Sequence, residues 1–142
     1  MEPDAPESAV CRSVYNNHDQ NRFIDSIRNE FSLEADEPGK VKKLEIIHDF
    51  LRRRYKGGAA TFLIIDENRS LADDLLEEIR MLSNLQEGGQ HLPNIILVGQ
   101  PGLRMRVDSR KFLHLSQRIS VRFHFTAETF ASEKTVYSEV VK

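Results

Sequence analysis

Two carboxylates follow directly on an apolar run in Phe62-Leu63-Ile64-Ile65-Asp66-Glu67. Continuous apolarity of this length suits a buried strand of a parallel sheet. The carboxyl ends of such strands are where α/β proteins gather their ligands. An acid there can hold magnesium through its waters, because magnesium gives up its hydration shell reluctantly. A second acid beside it can orient or deprotonate an attacking water. On this string alone, an ordinary strand ending in a solvated acidic loop reads the same way, and receiver domains also place acids at strand ends.

Phe62–Glu67 has the form of a Walker B strand, and two later strings bear on that reading. Ile95-Ile-Leu-Val-Gly99-Gln100 is a second apolar run ending in an amide, and Gln100 there can bond both a water and a phosphate oxygen. In Leu115-Ser-Gln-Arg118-Ile119 a guanidinium stands just before a strand, and its planar charge suits the spreading charge of phosphoryl transfer. Alone, Gln100 reads as a turn residue and Arg118 as a surface ion-pair partner. A phosphate-binding loop needs G-x-x-x-x-G-K-[ST]. Around the one Gly-Lys pair, Gly39-Lys40, Glu34 replaces the first glycine and Val41 the hydroxyl, so this is no such loop. The five histidines show no metal-ligand spacing, and Cys11 has no evident catalytic partner.

The elements that would position these groups follow from periodicity. Val10–Tyr15 predicts a strand. Phe23, Ile24, Ile27 and Phe31 predict a helix over 19–31, and Val41, Leu44, Ile47, Leu51 and Tyr55 a second over 40–55, ended by Gly57-Gly58. Ser70 with Asp73 reads as a capping box before the stripe Leu71, Leu75, Ile79 and Leu82. Gln86–Gln90 reads as a loop, Asn94–Val98 as a strand, and Pro101-Gly102 as a turn. Ser109–Gln117 follows as a short helix, Ile119–Phe125 as a strand and Ser132–Val141 as a last helix. The order β-α-α-β-α-β-α-β-α predicts a mostly parallel sheet in a layered α/β domain.

Composition narrows the classes. Twenty basic against twenty-two acidic residues leave a net charge of −2, which gives no global drive toward nucleic acid. A single cysteine excludes an internal disulfide and favours a reducing compartment. No apolar run approaches the ~20 residues of a membrane helix, and the N-terminal MEPDAPESAV is acidic, unlike a signal peptide. Residues 1–8 read as disordered.

Phe62–Glu67, Leu75-Leu-Glu-Glu-Ile-Arg-Met-Leu-Ser-Asn84, Asn94-Ile-Ile-Leu-Val-Gly-Gln-Pro-Gly-Leu-Arg104 and Leu115-Ser-Gln-Arg-Ile-Ser-Val-Arg-Phe-His124 occur in that order. Together they resemble the secretion and pilus-biogenesis AAA+ ATPases of the ExeA/GspA type, over roughly residues 60–125. The resemblance implies a three-layer P-loop NTPase core with a mostly parallel sheet, truncated, its first strand and P-loop missing. It would span residues 9–126, with 127–142 a C-terminal helix that begins an incomplete lid. It implies ATP and magnesium as cofactors of the intact protein, with none bound tightly by this chain. Carried over by position, Asp66 is the magnesium acid, Glu67 the catalytic acid, Gln100 the sensor and Arg118 the arginine acting on a neighbour's nucleotide. Asn68-Arg69 departs from the family's Ala-Gln after the acids. The implied parent is a cytoplasmic homo-oligomer attached to the inner membrane, with an envelope-assembly protein as partner. The alternatives are an interaction module that has lost nucleotide binding and an ATPase of a transposition or DNA-handling system. In the family's core the absent strand sits between the strand after Arg118 and the sensor strand. Without it, the expected sheet order is Ile119–Phe125, Asn94–Val98, Thr61–Ile65, Val10–Tyr15, the first two pairing directly.

Overall fold

The computed structural model describes residues 9–15, 20–34, 39–67, 72–124 and 137–141. Along the chain run β1 (Ala9–Tyr15), α1 (Gln20–Glu30), α2 (Lys40–Lys56), β2 (Thr61–Glu67) and α3 (Asp73–Ser83). A small hairpin follows, β3 (Gln86–Glu87) and β4 (Gln90–His91), then β5 (Pro93–Gly99) and α4 (Pro101–Val107). A 3-10 turn (Arg110–Phe112) leads into α5 (Leu113–Ser116), β6 (Ile119–His124) and β7 (Tyr137–Val141). The main sheet is ordered β1-β2-β5-β7-β6. β1, β2 and β5 are parallel neighbours, and β7 is antiparallel to both β5 and β6. β6 therefore runs in the same direction as β1, β2 and β5.

Two expectations are corrected here. The C-terminal helix expected over Ser132–Val141, within the 127–142 lid segment, is not formed at Tyr137–Val141, which is strand β7. Nor does Ile119–Phe125 pair directly with Asn94–Val98, because β7 lies between them. The parallel strands keep the expected order, and the place of the absent strand is filled by the chain's own C-terminal segment, reversed in direction. Helix propensity spans under about 1 kcal/mol per residue. Each buried backbone group left unpaired costs about 1–3 kcal/mol. Five residues bonded to a strand on each side therefore outweigh a weak local preference, and Tyr137, Val140 and Val141 are good strand formers.

The connections explain which face is covered. From β1 to β2, β2 to β5 and β5 to β6, every step moves the same way across the sheet. Right-handed crossovers then place all their helices on one face. Burial agrees. On one set of alternate positions, Leu63, Ile65, Ile95 and Leu97 are at most 2% exposed. Phe62, Ile64, Ile96 and Val98, on the other set, are only half-buried. The continuous apolar runs predict strands covered on both faces. Among the described residues they have one fully buried face under a single helical layer.

That layer is the core. Phe23, Ile24 and Ile27 of α1, Ile47 and Leu51 of α2, and Leu75, Leu76, Ile79 and Leu82 of α3 join the strand residues in one cluster. Leu103 and Val107 of α4, with Phe112 and Leu115, complete it. The predicted stripes hold except at the ends of α2, where Val41 and Tyr55 are exposed. Pro101-Gly102 opens α4 instead of making a free turn, because proline's fixed φ suits a first helical position. The expected loop at Gln86–Gln90 is a hairpin whose Gly88 (φ 57°) and Gly89 (φ 80°) both adopt the left-handed conformation that a tight hairpin turn requires. The capping serine, Ser70, with Leu71 and residues 1–8, lies outside the described residues; Ala72 takes the N-cap position of α3.

Two carboxylates of α3 tie it to neighbouring segments. Glu78 is buried on α3 and accepts a hydrogen bond from the Lys40 ammonium at the start of α2. Asp73, in the first turn of α3, accepts from Arg106 of α4 at 2.6 Å and from Lys111 at 2.5 Å. Asp73 thus clamps the segment that leaves β2 to the segments that follow β5. Lys111, and then Arg106, hold its carboxyl below the usual 3.8. A carboxyl with a depressed folded-state pKa stabilises above its ordinary value, and the contribution disappears as pH falls through the folded one. Asp73→Asn should lower the urea midpoint at neutral pH. The gap to wild type should close as the buffer falls below pH 3.8; a pH-independent gap would contradict the clamp.

The position of β7 is testable through its backbone. Val140 faces Ile96 on one side and Val121 on the other. Val140→Pro removes a ladder donor in a strand paired on both edges and should cost about 1–3 kcal/mol. Urea denaturation checks this, and an unchanged midpoint would place the segment outside the sheet.

Candidate functional site

The ends of the parallel strands separate the candidate residues into two groups. Asp66 is level with Val98 across the β2–β5 ladder, and Glu67 is the last residue of β2. Gln100 is the first residue after β5. These three occupy one edge of the sheet, on adjacent strands. Asp66 shares its row with Val98 and is half-buried on the less covered face. Gln100 is exposed at the N-cap position of α4, and its backbone carbonyl accepts from Leu103 N at 2.9 Å. Its side-chain amide makes no capping bond.

Arg118 lies at the other edge. It precedes Ile119, which pairs with Val141, which in turn pairs with Ile95 near the start of β5. The seven residues of β5 span about 20 Å at ~3.3 Å each. Arg118 is therefore separated from Asp66 and Gln100 by most of the sheet's height. Its Nη1 donates to the carbonyl of Ser83, the last residue of α3, at 3.0 Å. His91, delivered by the Gly88-Gly89 hairpin, contacts the same carbonyl through Nδ1 at 2.9 Å. Nη1 and Nδ1 are 3.4 Å apart. Both close the last turn of α3, where a helix leaves carbonyls without internal partners and favours positive charge.

His91 was not singled out by sequence spacing. The signal that would have found it is Gly88-Gly89, a hairpin turn that folds the next residues back toward α3. The string Leu75–Asn84 also resolves into particular tasks. Leu75, Leu76, Ile79 and Leu82 are core. Glu77 binds Arg80 through two carboxylate oxygens at 2.6–2.9 Å, Glu78 holds Lys40, and Ser83 receives Arg118.

The donor set at the Asp66 edge fits magnesium in part. Among the described residues no three His, Cys, Asp or Glu side chains gather in metal-binding range. A lone strand-end acid is nonetheless sufficient for an ion that keeps most of its waters and takes the rest from a phosphate. The nucleotide's phosphates do not fit this chain in the same way, because the sequence has no glycine-rich loop with a following lysine to cradle them. Among the described residues no helix is long and apolar enough to cross a membrane.

Comparison with known proteins agrees with this architecture. Residues 4–107 match the AAA domain family. The chain is 32% identical over 103 residues to General secretion pathway protein A of Aeromonas hydrophila, covering 72% of this chain and 19% of that protein. It thus spans about a fifth of that relative's length. No solved structure is significantly similar. With a family match over most of its length and a sheet whose parallel strands follow the expected order, the chain belongs to the AAA domain family.

Proposed function

We propose that this chain is the acid-bearing part of an ATPase module whose complete protein hydrolyses ATP to drive assembly of a secretion or pilus system. The observation that carries the reading is the shared edge: Asp66, Glu67 and Gln100 end adjacent parallel strands, while Arg118 stands at the far edge. Asp66 would hold magnesium, which when bound with a nucleotide neutralises phosphate charge. Glu67 orients or deprotonates the water, and Gln100 holds that water by its amide. Arg118 cannot serve the same subunit's nucleotide from across the sheet, so it acts on that of a neighbour in a homo-oligomer. The likeness to General secretion pathway protein A supports the secretion context, with the module on the cytoplasmic side, where ATP is available.

By itself the chain should release no phosphate from ATP, for want of a loop to cradle the β- and γ-phosphates. In the complete protein, Glu67→Gln should leave nucleotide affinity intact and slow turnover roughly 10²-fold or more, the range general base catalysis supplies. Steady-state turnover and fluorescent-nucleotide binding check both statements. Weakened binding with unchanged turnover in Glu67→Gln would overturn the assignment of the acid.

A further inference from the structure

Strand β7 matches its central position poorly. It pairs with Ile95–Gly99, five of the seven residues of β5, and its register against β6 breaks between Ile119 and Val121. Its residue types also differ from those of the rows they join. One row across the sheet contains Ile65 and Leu97, both at most 2% exposed beneath the helices, and β7 contributes Glu139 to it. The neighbour of Glu139 on β6 is Arg122, whose guanidinium donates to Asp108 at 2.7 Å and to the Ser116 hydroxyl at 2.8 Å. In the next row, on the open face, Ser138 stands between Val98 and Phe123, and Phe123 is 53% exposed. A carboxylate is a costly member of a buried row. A serine gives two apolar cross-strand neighbours little to pack against. Strands inside a parallel sheet are usually apolar almost throughout, as β2 and β5 are.

We propose that the slot between β5 and β6 is a strand-acceptor site, which β7 holds until a strand of another polypeptide, apolar on both faces, takes its place. In strand addition of this kind main-chain hydrogen bonds supply affinity, and alternate side chains supply specificity. The rows state what the slot selects. It takes an apolar residue beside Leu97, where β7 offers Glu139, and a second beside Val98 and Phe123, where β7 offers Ser138. A partner strand that alternates apolar with polar residues satisfies one row only. Exchange replaces one backbone ladder with another, so the hydrogen bonds nearly cancel and the side chains decide the outcome. The slot needs no nucleotide, so the proposal stands independently of the ATPase reading.

The experiment adds to the full chain a synthetic peptide with the β5 sequence Asn-Ile-Ile-Leu-Val between flanking lysines, and follows backbone hydrogen exchange by mass spectrometry. The same peptide with proline for its central isoleucine keeps the apolar character and loses a ladder donor. Saturable binding is expected, in which the amides of Tyr137–Val141 lose protection while those of β5 and β6 keep theirs. The proline peptide should leave that protection unchanged. Two variants should move the exchange in opposite directions. Glu139→Leu gives the buried row an apolar member on β7 and should weaken peptide affinity roughly ten-fold. Val140→Pro loosens β7 and should tighten peptide binding by roughly the same factor. Should Val140→Pro fail to fold, Glu139→Leu decides the matter alone. Unchanged protection of Tyr137–Val141 at saturation would place the peptide at a free sheet edge and overturn the proposal. No binding, equal binding of the proline peptide, or wild-type affinity in Glu139→Leu would overturn it as well.

Discussion

Strand β5 needs hydrogen-bond partners along both edges, and the rest of the structure is arranged around that need. On one side β2 meets it in parallel, bringing Asp66 level with Val98. On the other side β6 would be the parallel neighbour by direction, yet β7 intervenes and runs the opposite way. An open slot in mid-sheet would orphan several donors and acceptors, at about 1–3 kcal/mol each. That approaches the ~5–15 kcal/mol by which a whole domain is stable. The C-terminal segment relieves this constraint. A bulge near Ser120, between Ile119 and Val121, marks the imperfect join between β6 and β7.

The same topology divides the chemistry. Crossovers that all step one way put the helices on one face and leave Val121 and Phe123 exposed on the edge strand. They also send the acids and the amide to the carboxyl edge while Arg118 enters β6 at the other. Each edge has its own polar tie. Asp73 with Arg106 and Lys111 braces the segments around the Asp66 edge, and the Ser83 carbonyl gathers His91 and Arg118 at the opposite one. A subunit built this way presents acids at one end and a cation at the other, an arrangement suited to head-to-tail assembly.

Much of this was legible in the sequence where the signal is local. The stripe Leu75, Ile79, Leu82 and the runs at Phe62–Ile65 and Ile95–Val98 declare their elements, because burial of one face imposes a period that needs no knowledge of the partner. The common edge of Asp66, Glu67 and Gln100 followed from parallel strands alone. β7 was not legible, because Tyr137–Val141 becomes a strand only when β5 and β6 leave a slot for it, and β5 lies about forty residues upstream. The meeting at Ser83 was hidden for a related reason. Arg118 lies 35 residues from Ser83, and it meets Ser83 and His91 only after the Gly88-Gly89 turn folds back and β6 takes its place in the sheet.

Cooperation of the two edges between subunits can be tested by mixing. Complete protein carrying Glu67→Gln is combined with complete protein carrying Arg118→Ala, and ATP turnover of the mixed oligomer is measured against each variant alone. Each variant alone should be nearly inactive, and the mixture should recover part of the wild-type rate. At mixed interfaces an intact Arg118 on the Glu67→Gln subunit then serves an intact Glu67 on its neighbour. A mixture no more active than the average of its components would contradict it.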